Sequence, residues 1–177
     1  KSRLLKLEGC ENKCVLQGVE YLKDLNSGNI PKDYFEGKKV LILGGGNVAM
    51  DSARTAKRLG GDVTVVYRRT LNEMPAKEEE IVQAQQEDIK FKFLTSPLKI
   101  KSKGMDVCLR CIEMELGEPD DSGRRRPIEI KDSEFDISAD FVIFAIGQEI
   151  DIQPLEKNSI KLSEDKLIDI DPITFQT

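Results

Sequence analysis

The stretch Lys38-Lys39-Val40-Leu41-Ile42-Leu43-Gly44-Gly45-Gly46-Asn47-Val48-Ala49-Met50-Asp51 decides how this chain is read. Val40 to Leu43 is an uninterrupted apolar run, the pattern of a strand buried on both faces. Three glycines end it, and Asn47 to Leu59 follows as a predicted helix in which Ala49, Ala53 and Ala56 make a narrow small-residue stripe. Such a stripe lets a helix lie close on a sheet. Gly60-Gly61 stops the helix, and the β-branched run Val63 to Tyr67 opens a second strand. Strand, glycine turn, helix and strand fit within about 30 residues, the length of a βαβ unit with its right-handed crossover.

Upstream of this unit, Val15, Val19, Leu22 and Leu25 recur at helical spacing and Gly28 follows as a stop, so one amphipathic helix is expected. Downstream, Pro75 is suited to start a charged helix running through Glu87, with Ile81, Val82 and Ala84 facing inward. Phe91 and Phe93 open a third strand. After Pro97 the texture is antiparallel, with runs at Leu98 to Lys101, Met105 to Leu116 and Ile128 to Ile130, and a turn-rich loop from Gly117 to Pro127. Asp140 to Gly147 holds a last buried strand. The expected fold is therefore α/β: a three-layer domain with a parallel sheet plus an antiparallel β-meander.

The chain has 177 residues and a formal net charge of -5, which fits one ordinary domain and argues against a general nucleic-acid binder. A chain of this size hides roughly 70% of its unfolded surface and needs no disulfide or metal staples. No apolar run reaches the ~18 residues of a membrane helix, and no secretory signal stands at the N-terminus, so a cytoplasmic location is expected. With no His, His-based triads and His metal sites are excluded. The chain starts Lys1-Ser2-Arg3 without Met and stops at Phe175-Gln176-Thr177, so it is expected to be a piece of something longer.

Gly44-Gly45-Gly46-Asn47-Val48-Ala49 fits the G-x-G-x-x-G/A pattern of Rossmann-like NAD(P)-binding domains, and it sits between a strand and a helix, where the mechanism needs it. Gly44 permits the sharp turn, Gly46 lets a pyrophosphate approach the backbone, and Ala49 allows close helix packing. N–H groups at the helix start then face the anion. An NAD site usually supplies Asp or Glu after the second strand; here the residues are Tyr67-Arg68-Arg69. A guanidinium grips the 2'-phosphate of NADP that a carboxylate would repel. One or two such bonds, at roughly 1.5 to 3 kcal/mol each, give a preference for NADP(H) on the order of tenfold to several-thousandfold. A methyltransferase would want an acidic residue at the same place, and Arg68 has the wrong charge.

Other signals read more plainly. Cys108-Leu109-Arg110-Cys111 lies in a predicted strand, which puts the two Cα atoms ~10 Å apart on opposite faces, whereas a disulfide needs less than about 7 Å. Cys10 and Cys14 supply at most half of a zinc or cluster site, so all four cysteines are expected to be free thiols, with no metal site. Tyr34 and Lys38 match a Tyr-x-x-x-Lys spacing but precede the glycine loop, the wrong place for dehydrogenase chemistry. Arg124-Arg125-Arg126 faces Glu118, Asp120 and Asp121 across one hairpin loop and reads as a self-paired, solvated turn before a phosphate site, with a docking surface as a further alternative.

Gly44 to Asp51, Tyr67-Arg68-Arg69, Met74-Pro75-Ala76, Leu116-Gly117-Glu118-Pro119-Asp120, Ser122-Gly123-Arg124-Arg125-Arg126-Pro127 and Ala145-Ile146-Gly147-Gln148 together resemble the small subunit of NADPH-dependent glutamate synthase and its relatives. The likeness spans almost the whole chain. It implies a two-dinucleotide flavoprotein in which an NADPH domain is inserted into an FAD domain, with hydride passing to the flavin and electrons leaving through iron-sulfur clusters. By that resemblance, residues 1–177 are the single NADP(H)-binding domain, with a core at about 38–149. The flanks 1–37 and 150–177 would connect to an FAD domain of the same parent protein, and a large glutamate synthase-like or iron-sulfur subunit would be the partner. Gly45 to Val48 would meet the pyrophosphate, Arg68 and Arg69 the 2'-phosphate, and Ala145, Ile146 and Gly147 the nicotinamide side. No side chain need act as acid or base, since the cofactors carry the chemistry. The competing reading is a non-catalytic NADP(H)-sensing module.

Overall fold

Successive side chains of a strand point to opposite faces of the sheet, and each apolar face needs its own cover. The computed structural model describes residues 7–103, 106–121, 123–147, 168–171, 173, 174 and 176. The chain divides into one compact unit of residues 2–147 and another of residue 1 with 148–177. In the second unit, the Asp171 carboxylate accepts the N–H groups of Ile173 and Thr174 at 2.9 and 2.7 Å. The expected flank 150–177 otherwise lies largely outside the described residues.

The first unit holds, in order, β1 (Val15–Gln17), α1 (Gly18–Asn26), β2 (Lys39–Leu43), α2 (Asn47–Arg58), β3 (Asp62–Val66), a 3-10 turn (Leu71–Glu73), α3 (Glu78–Gln86), β4 (Lys90–Lys92), β5 (Thr95–Lys103), β6 (Asp106–Pro119), β7 (Arg125–Glu129), β8 (Phe135–Ala139) and β9 (Phe141–Phe144). Strands β1, β9, β2, β3 and β4 form one parallel sheet in that order. β5, β6, β7 and β8 form the antiparallel sheet, with the long β6 as its hub. β5 pairs along β6 from Asp106 to Glu113, β8 takes Val107 to Cys111, and β7 takes Met114 to Pro119. Among the described residues, no helix is long and apolar enough to cross a membrane.

The parallel sheet is the middle of three layers. Val40 and Ile42 of β2, Val63 and Val65 of β3 and Ile143 of β9 join Ala49, Ala53 and Ala56 of α2 and Ile81 and Ala84 of α3 in one apolar cluster. The alternate positions Leu41, Leu43, Val66, Val142 and Phe144 point the other way and pack with Ile100, Val107, Leu109 and Cys111 of the antiparallel sheet. The alanine stripe of α2 is fully buried, as the close approach of helix to sheet demands.

Several elements differ from their sequence expectation. Val15 lies in a strand, because β1 finds a parallel partner in β9, and the helix starts three residues later at Gly18. The sheet thus takes in residues from the expected N-terminal flank. Pro75 does not begin a helix: the segment after β3 makes a 3-10 turn whose Thr70 and Glu73 side chains cap each other, and α3 starts only at Glu78. That start leaves Val82 exposed, while Ile81 and Ala84 are buried. β6 and β7 also extend into the expected loop, to Pro119 and from Arg125. β8 has no counterpart in the sequence expectation, since Phe135-Asp136-Ile137-Ser138-Ala139 alternates too briefly to stand out. Tyr34 packs edge-on against Phe35 at 4.8 Å and Lys38 lies 3.7 Å from Asp140, which gives both residues structural roles.

Candidate functional site

In an open parallel sheet, ligands sit in the crevice beyond the strand C-termini where the strand order reverses. Here that point lies between β2, followed in sequence by its neighbour β3, and β9, which arrives from the far end of the unit. A cleft of about 310 Å³ opens there, lined by Leu43 to Gly46, Val66 to Arg69, Pro75, Thr95 to Pro97, Arg124 and Ala145 to Gly147.

The glycine loop is laced to both neighbouring strand ends. Gly44 N–H donates to Val66 O at 3.1 Å and Ala145 N–H to Leu43 O at 2.8 Å. Each glycine has a separate reason. Gly44 has φ +141°, in the region that favours glycine, and a Cβ there would run into the Ala145 carbonyl. A Cβ on Gly45 would lie 2.7 Å from the Tyr67 ring. Gly46 has neither constraint: its φ of -95° suits any residue, and its Cβ would meet only Pro75 Cγ, at 3.8 Å. Protein packing therefore leaves this glycine unexplained, and the empty space beside it belongs to the cleft.

Gly46 is also the N-cap of α2, whose bonding begins with Ala49 and Met50 N–H donating to Gly46 O at 2.9 and 3.1 Å. The preceding N–H groups of a helix have no intrahelical acceptor, and the helix dipole makes that end an anion seat. A pyrophosphate fits this arrangement. Asn47, Val48 and Ala49 follow in the first turn of α2. Asn47 Oδ1 accepts the Lys77 N–H at 3.2 Å, holding the approach to α3, and Ala49 is fully buried against the sheet.

The two arginines after β3 part company. Arg68 is exposed at the cleft. Arg69 lines the cleft but is turned inward, only 5% exposed: its Nη2 lies 2.6 Å from Asp120 Oδ2, and its Nε donates to Arg125 O at 2.6 Å. The expectation that both guanidiniums present themselves to a 2'-phosphate is corrected for Arg69, because consecutive residues of an extended chain point opposite ways. The reading of the arginine loop changes with it. Asp120 reaches out of its hairpin to a residue 51 positions away, and Arg124, on the far side of the same turn, lines the cleft. Sequence reasoning missed Pro75 and Thr95 to Pro97 as cleft residues, and it set the phosphate-site reading of the arginine run below that of a solvated turn. The arginine run was the one visible signal for Arg124.

Cys10, Cys14, Cys108 and Cys111 are free thiols. Burial pushes the Cys111 thiol up to about 12, so it stays protonated near neutral pH and is no nucleophile. A larger, open hollow of about 710 Å³ runs along the solvated side of α3, lined by residues such as Lys77, Glu78 and Gln83.

A strand–glycine turn–helix site at a sheet switch point, on a helix/sheet/sheet domain, is matched by the family model described as pyridine nucleotide-disulphide oxidoreductase over residues 1–174. The chain belongs to that family. Among its relatives, the pyridine nucleotide-disulphide oxidoreductase domain is 43% identical over 164 residues to the NADP(+)-dependent formate dehydrogenase subunit beta of Moorella thermoacetica, covering 92% of this chain and 23% of that protein. It is 40% identical over 131 residues to the glutamate synthase [NADPH] small chain of Escherichia coli, covering 72% of this chain and 28% of that one. The chain thus spans about a quarter of the length of these relatives. Of solved structures, Lactococcus lactis thioredoxin reductase matches with TM-score 0.69 at 18% identity, covering 97% of this chain and 50% of that one. Mycobacterium tuberculosis FprA in complex with NADPH matches with TM-score 0.67 at 18% identity, covering 84% and 48%. These two likenesses show the fold. The family model and these relatives show a domain of an oxidoreductase family.

Proposed function

We propose that this chain binds NADP(H) for a flavin-dependent oxidoreductase of the glutamate synthase small-chain type. The observation that carries the reading is Gly46, a glycine that neither backbone strain nor packing requires, facing open cleft at a helix N-terminus. When bound, NADP(H) would supply hydride chemistry toward an FAD held elsewhere in the parent protein, with onward transfer through iron-sulfur centres and a large glutamate synthase-like or iron-sulfur subunit as partner. The chain's own residues bind and orient. The first turn of α2 seats the pyrophosphate, Arg68 meets the 2'-phosphate, and the Ala145 to Gly147 turn lines the nicotinamide end.

The relatives named for NADP(+) or NADPH support the choice of nucleotide. FAD is assigned to a separate domain of the same protein, reached through the ends of the chain: residues 150–177, and the part of the 1–37 flank that precedes β1. A reducing, cytoplasmic setting is proposed on the four free cysteines.

The test is Gly46→Ala in the intact protein, titrated with NADPH. Binding is expected to weaken on the order of tenfold to a hundredfold, the cost of losing a bond to a charged group, with the thermal midpoint lowered by no more than the N-cap change from glycine to alanine accounts for. Unaltered NADPH affinity in this variant would refute the reading.

A further inference from the structure

The hairpin between β6 and β7 comes from the antiparallel layer, yet it is anchored on the nucleotide side. Arg69, at the end of β3, holds it twice, through Asp120 Oδ2 and Arg125 O, both at 2.6 Å. The pair is substantially buried, with the Arg69 side chain 6% and that of Asp120 24% exposed. The turn is also fixed from within. Asp120 N–H donates to Arg124 O at 2.7 Å, Arg124 N–H to Asp120 Oδ1 at 3.3 Å, and Gly123, at φ +77°, donates to Asp120 O at 2.8 Å. Arg125 donates to Leu116 O and Gly117 O across the base of the hairpin, at 2.6 and 3.1 Å. One carboxylate, Asp120, therefore sets the position of Arg124, which lines the cleft together with Arg68.

We infer that Arg124 is a second specificity-determining residue for the 2'-phosphate of NADP(H), presented by the hairpin, and that Arg69 and Asp120 are its positioning residues. This rests on the cleft being an NADP(H) site. The chemistry favours a pair of cations from two separate elements. A phosphate monoester carries close to two negative charges at neutral pH, so Arg68 leaves it part-neutralised, and a second guanidinium from a separate element closes a charge-assisted clamp. Arg69 cannot take that place while its Nε and Nη2 are bound to the hairpin. An ion pair with so little exposure costs desolvation and adds little net stability. What it supplies here is the register of the turn that carries Arg124.

The test uses 2',5'-ADP and 5'-AMP as probes, which differ by the 2'-phosphate alone, titrated into the intact protein and its Arg124→Ala, Arg124→Gln and Asp120→Asn variants. Both Arg124 variants are expected to bind 2',5'-ADP on the order of tenfold to a hundredfold more weakly while 5'-AMP changes less than about twofold. Arg124→Lys recovers part of the loss, since it keeps the charge without the fork. Asp120→Asn is expected to lower the preference in the same direction, which a purely structural defect would not do selectively. Unchanged discrimination in both Arg124 variants, with Arg68→Ala abolishing it, would overturn the inference and leave the NADP(H) reading standing. No discrimination between the probes in the unaltered protein would overturn both.

Discussion

At Gly45 the nearest obstacle to a side chain is the Tyr67 ring, which is itself pinned by its hydroxyl donating to Glu73 O at 2.8 Å. Gly45→Ala must therefore move an anchored ring, and a loss of about 1 to 3 kcal/mol is expected in urea unfolding. Neighbouring Gly46→Ala should lose less, under about 1 kcal/mol, because its Cβ finds room and only the N-cap preference for glycine over alanine is given up. The two substitutions are chemically identical, so their contrast in stability separates a glycine kept for packing from one kept for a ligand. Both positions were legible as a loop, and Gly46 as the one a pyrophosphate approaches; that Gly45 is kept for packing was not legible, since that depends on the Tyr67 ring arriving from another part of the chain.

Helix α3 ends on Glu87, followed by Asp88 at φ +57°, an exposed residue in the left-handed position that glycine fills best. Asp88→Gly is expected to raise stability by about 0.5 to 1 kcal/mol, measured by the urea midpoint. Glu87 joins this helix to α2. Its Oε1 accepts Arg54 Nε and Nη2 at 3.0 and 2.9 Å and Arg58 Nη2 at 2.8 Å. Arg54 holds the Glu87 carboxyl below its ordinary value near 4.5, with Arg58 adding to the effect. A depressed carboxyl contributes stability above the unfolded-state pKa and loses it as pH falls through the folded one. Glu87→Gln should thus cost up to about 1 kcal/mol at pH 7 and less at pH 3, as the carboxylate takes up its proton. Denaturation at the two pH values checks the sign. Elements of this size were largely legible in the sequence. The helix around Ala49, Ala53 and Ala56 shows its buried stripe in the spacing alone, whereas the start of α3 is not visible there, because a reciprocal Thr70–Glu73 cap holds the segment ahead of it in a short turn.

Taken whole, the domain hangs on β2, whose alternate residues serve two cores. Ile42 packs with the helices and Leu43 with the antiparallel sheet. Ile42→Ala and Leu43→Ala should each cost about 2 to 5 kcal/mol, and the loss should appear in one shared transition, seen alike by far-UV circular dichroism and tyrosine fluorescence. Separate transitions would mean that the layers fold independently. The same layering places the candidate site, since β2, β3 and β9 end together and the hairpin of the second sheet closes the cleft. What the sequence by itself determined is everything set by neighbours along the chain: the buried strand, the glycine loop, the alanine face of α2 and the basic residues after β3. Only the tertiary structure decided that Arg69 turns inward to Asp120 while Arg124 takes a place in the cleft, and that β1 joins the sheet beside β9. Partners so far apart in sequence meet only when two sheets pack face to face, and no local pattern of charge or hydrophobicity records which of several arginines will be spent in that contact.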